Sequence, residues 1–254
     1  MGASTTSPAS PMGGRRPSHP MYVMGPFDII EIGNHVIAPG ASYGQLNYLT
    51  SIVYNNPDAQ GGQENVIVDL SGYGSRSTSL AQDRVYQLAG RFVGPNNGGD
   101  PIIFYEQALT LHIGESSAFL NSQSISLLAG KVAVFGFGVV SQREEVKAVE
   151  INNAPQTNLH VTLRHTNYHV IKRERVEFET TYVVPGNAIL RNTFGLLQIG
   201  REALIVGYMG GFDPQKHTWV VDALLISMSS GPQTRVNGSP VNAVGQLDTR
   251  RPHL

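Results

Sequence analysis

The sequence contains no cysteine in its 254 residues. This absence excludes disulfide bonds, zinc sites built on thiolates and a cysteine nucleophile, and it leaves the redox compartment undecided. No run approaches the roughly 18 consecutive apolar residues that a membrane-spanning helix needs. The first twenty residues also lack the apolar core of a secretory signal. The sequence therefore predicts no membrane partner.

Charge of either sign is scarce. Charged residues make up 15% of the chain against 41% hydrophobic residues, and the formal net charge is only −1. This composition is typical of a compact globular body. The charge is unevenly divided, because residues 1–130 hold 5 basic and 9 acidic residues whereas residues 131–254 hold 13 and 10. A basic surface is therefore expected only in the second half, and only locally.

Motifs for catalysis and for cofactors are also lacking. The run GFGVV at 136–140 does not extend to the GxGxxG of a dinucleotide-binding loop, and SGYGS at 71–75 is not the GxSxG of a nucleophile elbow. His165 and His169 lie four residues apart, as helical zinc ligands do. On an extended strand that spacing spans roughly 13 Å, which is too far to share one ion. The sequence therefore predicts no enzyme, no cofactor and no metal site.

Glycine (28 residues) and proline (15 residues) are plentiful, and they separate short apolar runs. Frequent turns between short runs favour an all-β architecture. The predicted strands lie at 46–54, 66–70, 85–93, 102–113, 132–140, 159–165, 176–184, 204–209 and 219–228. Residues 1–25 and 232–254 are rich in Ser, Pro and Gly, which predicts two disordered tails.

Two segments, 84–113 and 201–228, repeat one hairpin pattern of an apolar run, a Gly-rich turn and a second apolar run. Aligning Gly90 with Gly207 and Ala108 with Ala223 also matches the alternating apolar residues that follow, Leu109, Leu111 and Ile113 with Leu224, Ile226 and Met228. The repetition predicts two copies of one β module, although hairpins in general can produce a similar pattern.

Between the third and fourth strands of the second half, residues 187–200 predict a short helix. Asn187 is placed to cap its start, and Gly200 to end it. The order of three strands, one helix and two strands is that of an OB-fold barrel. We therefore predict an all-β fold of two tandem OB-like five-stranded barrels, at 26–115 and 131–231, joined by a linker at 116–130. One short helix belongs to the second barrel.

The second half also resembles a known family. VEFETTYVVPGNAILRNTFGLLQIGREALIVGYM at 176–209 is similar to the third strand, helix and fourth strand of bacterial and mitochondrial single-stranded DNA-binding proteins. WVVDALLISM at 219–228 is similar to the last barrel strand of that family. The resemblance covers about residues 131–230. It implies an OB-fold, single-stranded DNA as the ligand and an intracellular location, nuclear or mitochondrial in a eukaryote.

Single-strand binding requires basic side chains for the phosphates and exposed rings for the bases. The segment RHTNYHVIKRER at 164–175 has this composition, and in an OB-fold the loop between the second and third strands borders the binding face. Its candidate binding residues are Arg164, Tyr168, Lys172, Arg173 and Arg175, with only Glu174 opposing them in the segment. A solvated hairpin tip without a ligand is the alternative.

Four further aromatic residues are candidates for stacking on bases. Phe135 and Phe137 share one face of a strand, while Gly136 and Gly138 leave its other face bare for a base or another backbone. Tyr208 and Trp219 lie beside the last turn. Packing in the core is the alternative for the two phenylalanines and for Trp219, which is the only tryptophan.

These observations predict a non-catalytic protein that binds single-stranded nucleic acid, DNA rather than RNA. Protein partners or a homo-oligomer remain possible. Two alternatives stay open at this point. One is an OB-like scaffold that binds proteins, which the weak net charge favours. The other is a viral or structural coat subunit, which the all-β pattern and the polar arm with Arg15 and Arg16 allow.

Overall fold

A computed structural model describes residues 18–121, 125–148 and 156–229, and these residues are mostly β-strand. The twelve strands are β1 (Met21–Asp28), β2 (Glu31–Ile32), β3 (Tyr43–Asn55), β4 (Gln63–Ser75), β5 (Arg84–Val93), β6 (Ile102–Tyr105), β7 (Leu111–Glu115), β8 (Ala133–Lys147), β9 (Thr157–His169), β10 (Glu174–Val184), β11 (Glu202–Asp213) and β12 (Thr218–Met228). Four short 3₁₀ helices lie at Arg76–Thr78, Gln107–Leu109, Ser116–Phe119 and Arg191–Leu196.

The second half of the chain forms a closed five-stranded barrel. Strands β8, β9 and β10 pair in sequence as an antiparallel meander, and β10 then pairs with β12 in parallel. Strand β11 is antiparallel to both β12 and β8, which closes the barrel. This is the strand order 1-2-3-5-4-1 of an OB-fold, so the predicted fold class is confirmed for this half.

The first half repeats that order. Strands β3 and β4 are antiparallel, β4 and β6 are parallel over four residue pairs, and β5 is antiparallel to both β6 and β1. The first barrel is closed by β2, which follows β1 in the chain and pairs with β3. Together, β1 and β2 take the place of the first strand of the OB-fold. Parallel pairing of the third and fifth strands also involves four residue pairs in the second barrel. The hairpins β5–β6 and β11–β12 therefore occupy equivalent places.

The residue-by-residue alignment of the two hairpins was wrong. Gly90 pairs with Tyr105, and Gly207 pairs with Ala223, so Ala108 is not the equivalent of Ala223. Strand β6 ends at Tyr105 and a 3₁₀ turn interrupts the chain before β7 returns to pair with β5. The expected matches Leu109, Leu111 and Ile113 consequently lie on an exposed surface after that interruption.

The predicted helix at 187–200 is present as a turn and a 3₁₀ helix, Arg191–Leu196, rather than as an α-helix. The backbone N–H groups of Ile189 and Leu190 donate to the Asn187 side chain at 3.1 and 2.9 Å, as expected of a cap. Gly200 adopts a left-handed φ of 86°, as a helix-ending glycine does. The segment is held by burial of Leu190, Phe194 and Leu197, and this packing decides its form.

The structure differs from the predicted segment limits at the amino-terminal tail and at the linker 116–130. Residues 21–25 belong to β1 and not to the amino-terminal tail, whereas residues 1–17 and 230–254 lie outside the described residues. The segment predicted as a linker packs back on the first barrel. Its Ser126 exchanges two hydrogen bonds with the Gln63 side chain, at 2.9 and 3.0 Å, and the Gly130 N–H donates to the Val53 carbonyl at 3.0 Å.

The two barrels share one sheet and part of one core. Strand β1 pairs with β5 of the first barrel on one edge and with β8 of the second on the other. The Asn167 amide, on β9, donates to the carbonyls of Met21 and Phe92 at 3.3 and 3.1 Å. The Phe92 ring meets the Trp219 ring edge-on, with centroids 5.5 Å apart. The second barrel is therefore fixed against the first through apolar packing and hydrogen bonds.

Gly136 and Gly138 do not leave a face open to a ligand, contrary to the sequence-based expectation. Both glycines are buried and face the inside of the second barrel. A Cβ atom on Gly136 would lie 1.8 Å from the Tyr182 hydroxyl, and one on Gly138 would lie 2.9 Å from Leu163. The absence of a side chain at Gly136 makes room for the Tyr182 ring, and its absence at Gly138 makes room for Leu163 and His165.

Candidate nucleic-acid interface

The candidate interface is centred on the basic hairpin, by which we mean β9, β10 and the connecting residues 170–173. Strands β9 and β10 pair in register from Leu159 to His169. Alternation along β9 directs Arg164 and Tyr168 outward, and Arg175 lies opposite Tyr168 on β10. Tyr168 keeps 43% of its surface exposed. Three of the predicted binding residues thus share the outer face of an OB barrel between its second and third strands.

The turn of the hairpin carries two more predicted residues, Lys172 and Arg173, and both are exposed. Arg173 has a left-handed φ of 55°, which a hairpin turn of this kind requires. The Lys172 backbone N–H donates to Nδ1 of His169 at 3.2 Å, and this bond holds the turn against the buried His169 ring. The two cationic side chains therefore project from a turn of defined conformation.

The outer face is less basic than the segment 164–175 suggests by itself. Pairing brings Glu179 opposite Arg164, and Glu177 opposite Thr166, on the same side of the sheet as Tyr168. The prediction that only Glu174 opposes the basic residues is therefore incomplete. Glu177 and Glu179 lie on the paired strand β10 and outside the segment 164–175, so the composition of that segment does not include them. Positive charge is concentrated at the turn of the hairpin, at Lys172 and Arg173.

The basic hairpin extends over the outer face of the first barrel. The His169 ring packs edge-on against Phe104 of β6, with centroids 5.2 Å apart. Val170 lines a cleft of about 330 Å³ on one side of the crossing, and Ile171 lines another of about 240 Å³ on the other side. The turn of the second barrel thus lies between two grooves on the first.

Phe137 lies on the outer surface of β8, diagonal to Arg164 across the β8–β9 pair. The His19 ring stacks on it, with centroids 5.2 Å apart and planes at 29°. His19 Nε2 is 2.9 Å from Oε1 of Glu202, so the imidazole is held by one polar contact as well as by the stacking. One face of Phe137 is therefore occupied by His19.

Phe135 and Tyr208 occupy the neighbouring surface of β8 and β11. Phe135 is 37% exposed and lies between Tyr22 of β1 and Val206 of β11. Tyr208 is half-buried opposite Asp222. Burial, and then the Asp222 carboxylate, raises the pKa of Tyr208, while burial also raises the pKa of Asp222. The structure does not bring Phe135 and Tyr208 onto the face that carries Tyr168.

Trp219 is not available to a nucleic acid. Only 1% of its surface is exposed, and its ring packs between Phe92 and Phe212, with centroid distances of 5.5 and 5.1 Å. Trp219 is the first residue of the apolar run WVVDALLISM and lies next to a turn. In the sequence, this position is equally compatible with exposure and with burial. The core alternative is therefore correct, and Trp219 is removed from the candidate interface.

Sequence reasoning missed a tyrosine pair on the first barrel. Tyr43 of β3 and Tyr73 of β4 are 57% and 68% exposed, and their rings stack with centroids 6.3 Å apart and planes at 17°. Both alternate with buried residues on their strands, which marks them as outward-facing. Their proximity depends on the register of β3 and β4, and no local pattern specifies it.

His165 and His169 both point inward from β9, and they have different partners. His165 contacts the Phe137 carbonyl and the Tyr182 hydroxyl, whereas His169 packs on Phe104. Burial lowers the pKa of both imidazoles. Within the ranges that the structure describes, no group of three or more ligand side chains lies close enough to hold a metal ion. Among the same residues, no helix has the length and apolar character needed to cross a membrane.

No protein-family model matches this sequence, and no curated protein matches it. Among solved structures, the wild-type single-stranded DNA binding protein from Thermus aquaticus is similar at 13% identity and a TM-score of 0.47, over 89% of this chain and 96% of that one. A deletion variant of the same protein gives 12% identity and a TM-score of 0.44, over 83% and 94%.

Proposed function

We propose that this protein binds single-stranded nucleic acid through the basic hairpin and performs no catalysis. The observation that carries the proposal is the exposed Tyr168 ring on the outer face of an OB barrel, opposite Arg175, on the same strand face as Arg164 and next to a cationic turn. An aromatic ring can stack on any base, and basic side chains attract the phosphates without reading sequence. The resemblance of residues 176–209 to single-stranded DNA-binding proteins favours DNA over RNA.

Within this proposal the eight predicted residues that remain after the removal of Trp219 have different weights. Tyr168 provides the stacking surface, and Lys172, Arg173, Arg164 and Arg175 provide the charge. Phe137, with one face covered by His19, extends the surface along β8. Phe135 and Tyr208 are assigned to its margin because they lie on the neighbouring surface.

A scaffold that binds proteins is the second candidate. Glu177 and Glu179 on the outer face of β10 favour it, because carboxylates repel phosphates and lower the affinity of the face for a strand. The two candidates differ in one property. Strand binding releases counterions and weakens steeply with salt, whereas protein binding has no fixed dependence of that kind.

Removal of the charge at the turn is expected to flatten the salt dependence of binding. In the variant Lys172→Gln/Arg173→Asn, asparagine tolerates the left-handed backbone of position 173. Each lost phosphate contact reduces the log–log slope by about 0.7, so the pair reduces it by up to about 1.4. Fluorescence anisotropy of a labelled oligonucleotide over a series of salt concentrations measures this slope.

The matched control is Arg191→Gln/Arg201→Gln, which removes the same charge from two exposed positions, the first residue of the 3₁₀ helix Arg191–Leu196 and the residue before β11. We expect this variant to keep the wild-type slope to within a few tenths. An equal decrease in slope in both variants would mean that the effect depends on net charge and not on the hairpin.

Tyr168→Ala is expected to weaken oligonucleotide binding by about 1 kcal/mol or more, because one stacked base contributes about 1–3 kcal/mol. The melting temperature should stay close to that of the wild type, since the residue lies on the exposed face of β9 and not in the core. Anisotropy titration and thermal unfolding measure the two effects. Tyr168→Phe keeps the ring and should bind normally. If Tyr168→Ala also binds normally, the hairpin has no stacking role.

A further inference from the structure

The cleft of about 330 Å³ beside the hairpin turn is built from both barrels, and we refer to it as the tyrosine groove. Its size is at the lower end of the range for small-molecule sites. Strands β3, β4, β5 and β6 provide most of its walls, and Val170 from the basic hairpin closes one side. Its lining includes Gln45, Ser71, Tyr73, Arg91, Phe104, Glu106 and Gln107.

Tyr73 lies at the edge of this groove, stacked with Tyr43. The two rings lie side by side and are both more than half exposed, so they form one aromatic surface. Contiguous exposed apolar surface can mark a ligand-binding groove. Stacked tyrosines on the second and third strands of an OB barrel present a flat surface of the kind on which bases stack.

The floor of the groove carries a positioned cation. The Arg91 guanidinium lies 5.8 Å from the centroid of the Phe104 ring, opposite it in the β5–β6 pair. This cation–π contact restricts the side chain before any ligand arrives. Glu106 also lines the groove, so the groove contains a cationic donor and an anionic acceptor.

The opposite wall is polar and hydrogen-bonded. The Gln45 amide donates to the Ser71 hydroxyl at 2.5 Å, and that hydroxyl donates to the Asn47 side chain at 2.5 Å. The Gln107 Oε1 atom, at the end of the groove, is buried and has no hydrogen-bond partner among the described residues. An unpaired buried acceptor is rare in proteins and is satisfied when a ligand supplies a donor.

The position of the groove links it to the basic hairpin. Val170 forms its wall two residues after Tyr168 and two before Lys172. The hairpin turn therefore forms one wall of the groove, and a strand that contacts Lys172 would pass next to it.

We propose that the tyrosine groove is a second nucleotide site, in which a base of the same single strand stacks on Tyr73 and Arg91 contacts its sugar-phosphate. This proposal rests on the proposed function, because it extends the path of a strand held at the basic hairpin. The hairpin turn then belongs to both sites. The occupant is a continuous single strand, and a binding length that includes both barrels follows.

The test is Tyr73→Ala with labelled single strands of about 8 and about 30 nucleotides, since one OB-fold occupies roughly 4–16 nucleotides. We expect binding of the longer strand to weaken at least about fivefold, the lower limit for loss of one stacked base. Tyr73→Phe should bind like the wild type. Ile67→Ala, on the same strand and the same outer face, is the matched control and should leave binding unchanged.

The outcomes separate the two proposals. If the wild type binds and Tyr73→Ala binds equally well at both lengths, the groove is not a nucleotide site while the hairpin proposal stands. If the wild type binds neither strand at low salt, the proposed function itself fails. A photo-crosslink from a thio-substituted strand to the peptide that contains Tyr73 provides a second measurement, and its absence in a protein that crosslinks at Tyr168 would also overturn the groove.

Discussion

Trp219→Ala is expected to lower the free energy of unfolding by about 3–5 kcal/mol, which is the usual effect of deleting a large buried ring. The indole packs against Phe212 of its own barrel and edge-on against Phe92 of the other. Gly94 leaves room for it, because a Cβ atom there would lie 3.0 Å from the indole. The substitution therefore opens a cavity at the junction of the barrels.

Chemical denaturation followed by far-UV circular dichroism measures this loss, since the variant has no tryptophan left for fluorescence. Trp219→Phe fills most of the space and should lose much less. Because the ring contacts both barrels, we also expect the alanine variant to unfold less cooperatively. A loss below about 1 kcal/mol, together with weaker oligonucleotide binding, would mean that the ring is exposed in solution and contacts the strand.

Acidification is expected to destabilise the protein by up to about 3 kcal/mol through His165 alone. The ring is fully buried, and burial lowers its pKa to about 4. Its Nδ1–H donates to the Phe137 carbonyl at 2.8 Å, so the neutral Nε2 accepts from the Tyr182 hydroxyl at 3.0 Å. Protonation of Nε2 would break the second bond and bury a charge.

The pH range of this effect follows from the two pKa values. The unfolded chain protonates His165 near pH 6.5 and the folded chain near pH 4, so the unfolded state binds more protons between them. Stability is therefore unaffected by this group above about pH 6.5 and decreases by about 1.4 kcal/mol per pH unit as the pH falls towards 4. His165→Gln, which can keep both hydrogen bonds, should lack this component. Equal pH slopes in wild type and variant would contradict the assignment.

Much of the fold can be predicted from local patterns. Alternating apolar residues at 159–165 and 176–184 identify β9 and β10, and the order of strands around 187–200 identifies the OB barrel. Other features depend on contacts that no segment contains. The sharing of β1 between β5 and β8, and the Phe92–Trp219 contact, arise only when the two barrels pack. Gly136 resembles an open strand position in the sequence, because Tyr182, which occupies the space, lies on another strand.

The candidate interface likewise has features that the sequence predicts and features that depend on contacts between strands. Residues of one hairpin, Tyr168, Lys172 and Arg173, could be found because they are neighbours in sequence and share a polar turn. Glu179 was overlooked as an opposing charge because its proximity to Arg164 depends on strand register. The Tyr43–Tyr73 pair was missed for the same reason. Trp219 was misplaced because an apolar run beside a turn does not specify which of its residues face the core.

The most direct test of the central claim is titration of the wild-type protein with a labelled single strand and with the same sequence as a duplex, at two salt concentrations. We expect the single strand to bind at low salt, more tightly than the duplex, and to weaken steeply as salt increases, because its phosphates release counterions on binding. Absence of single-strand binding at low salt, or equal affinity for single strand and duplex, would contradict the claim.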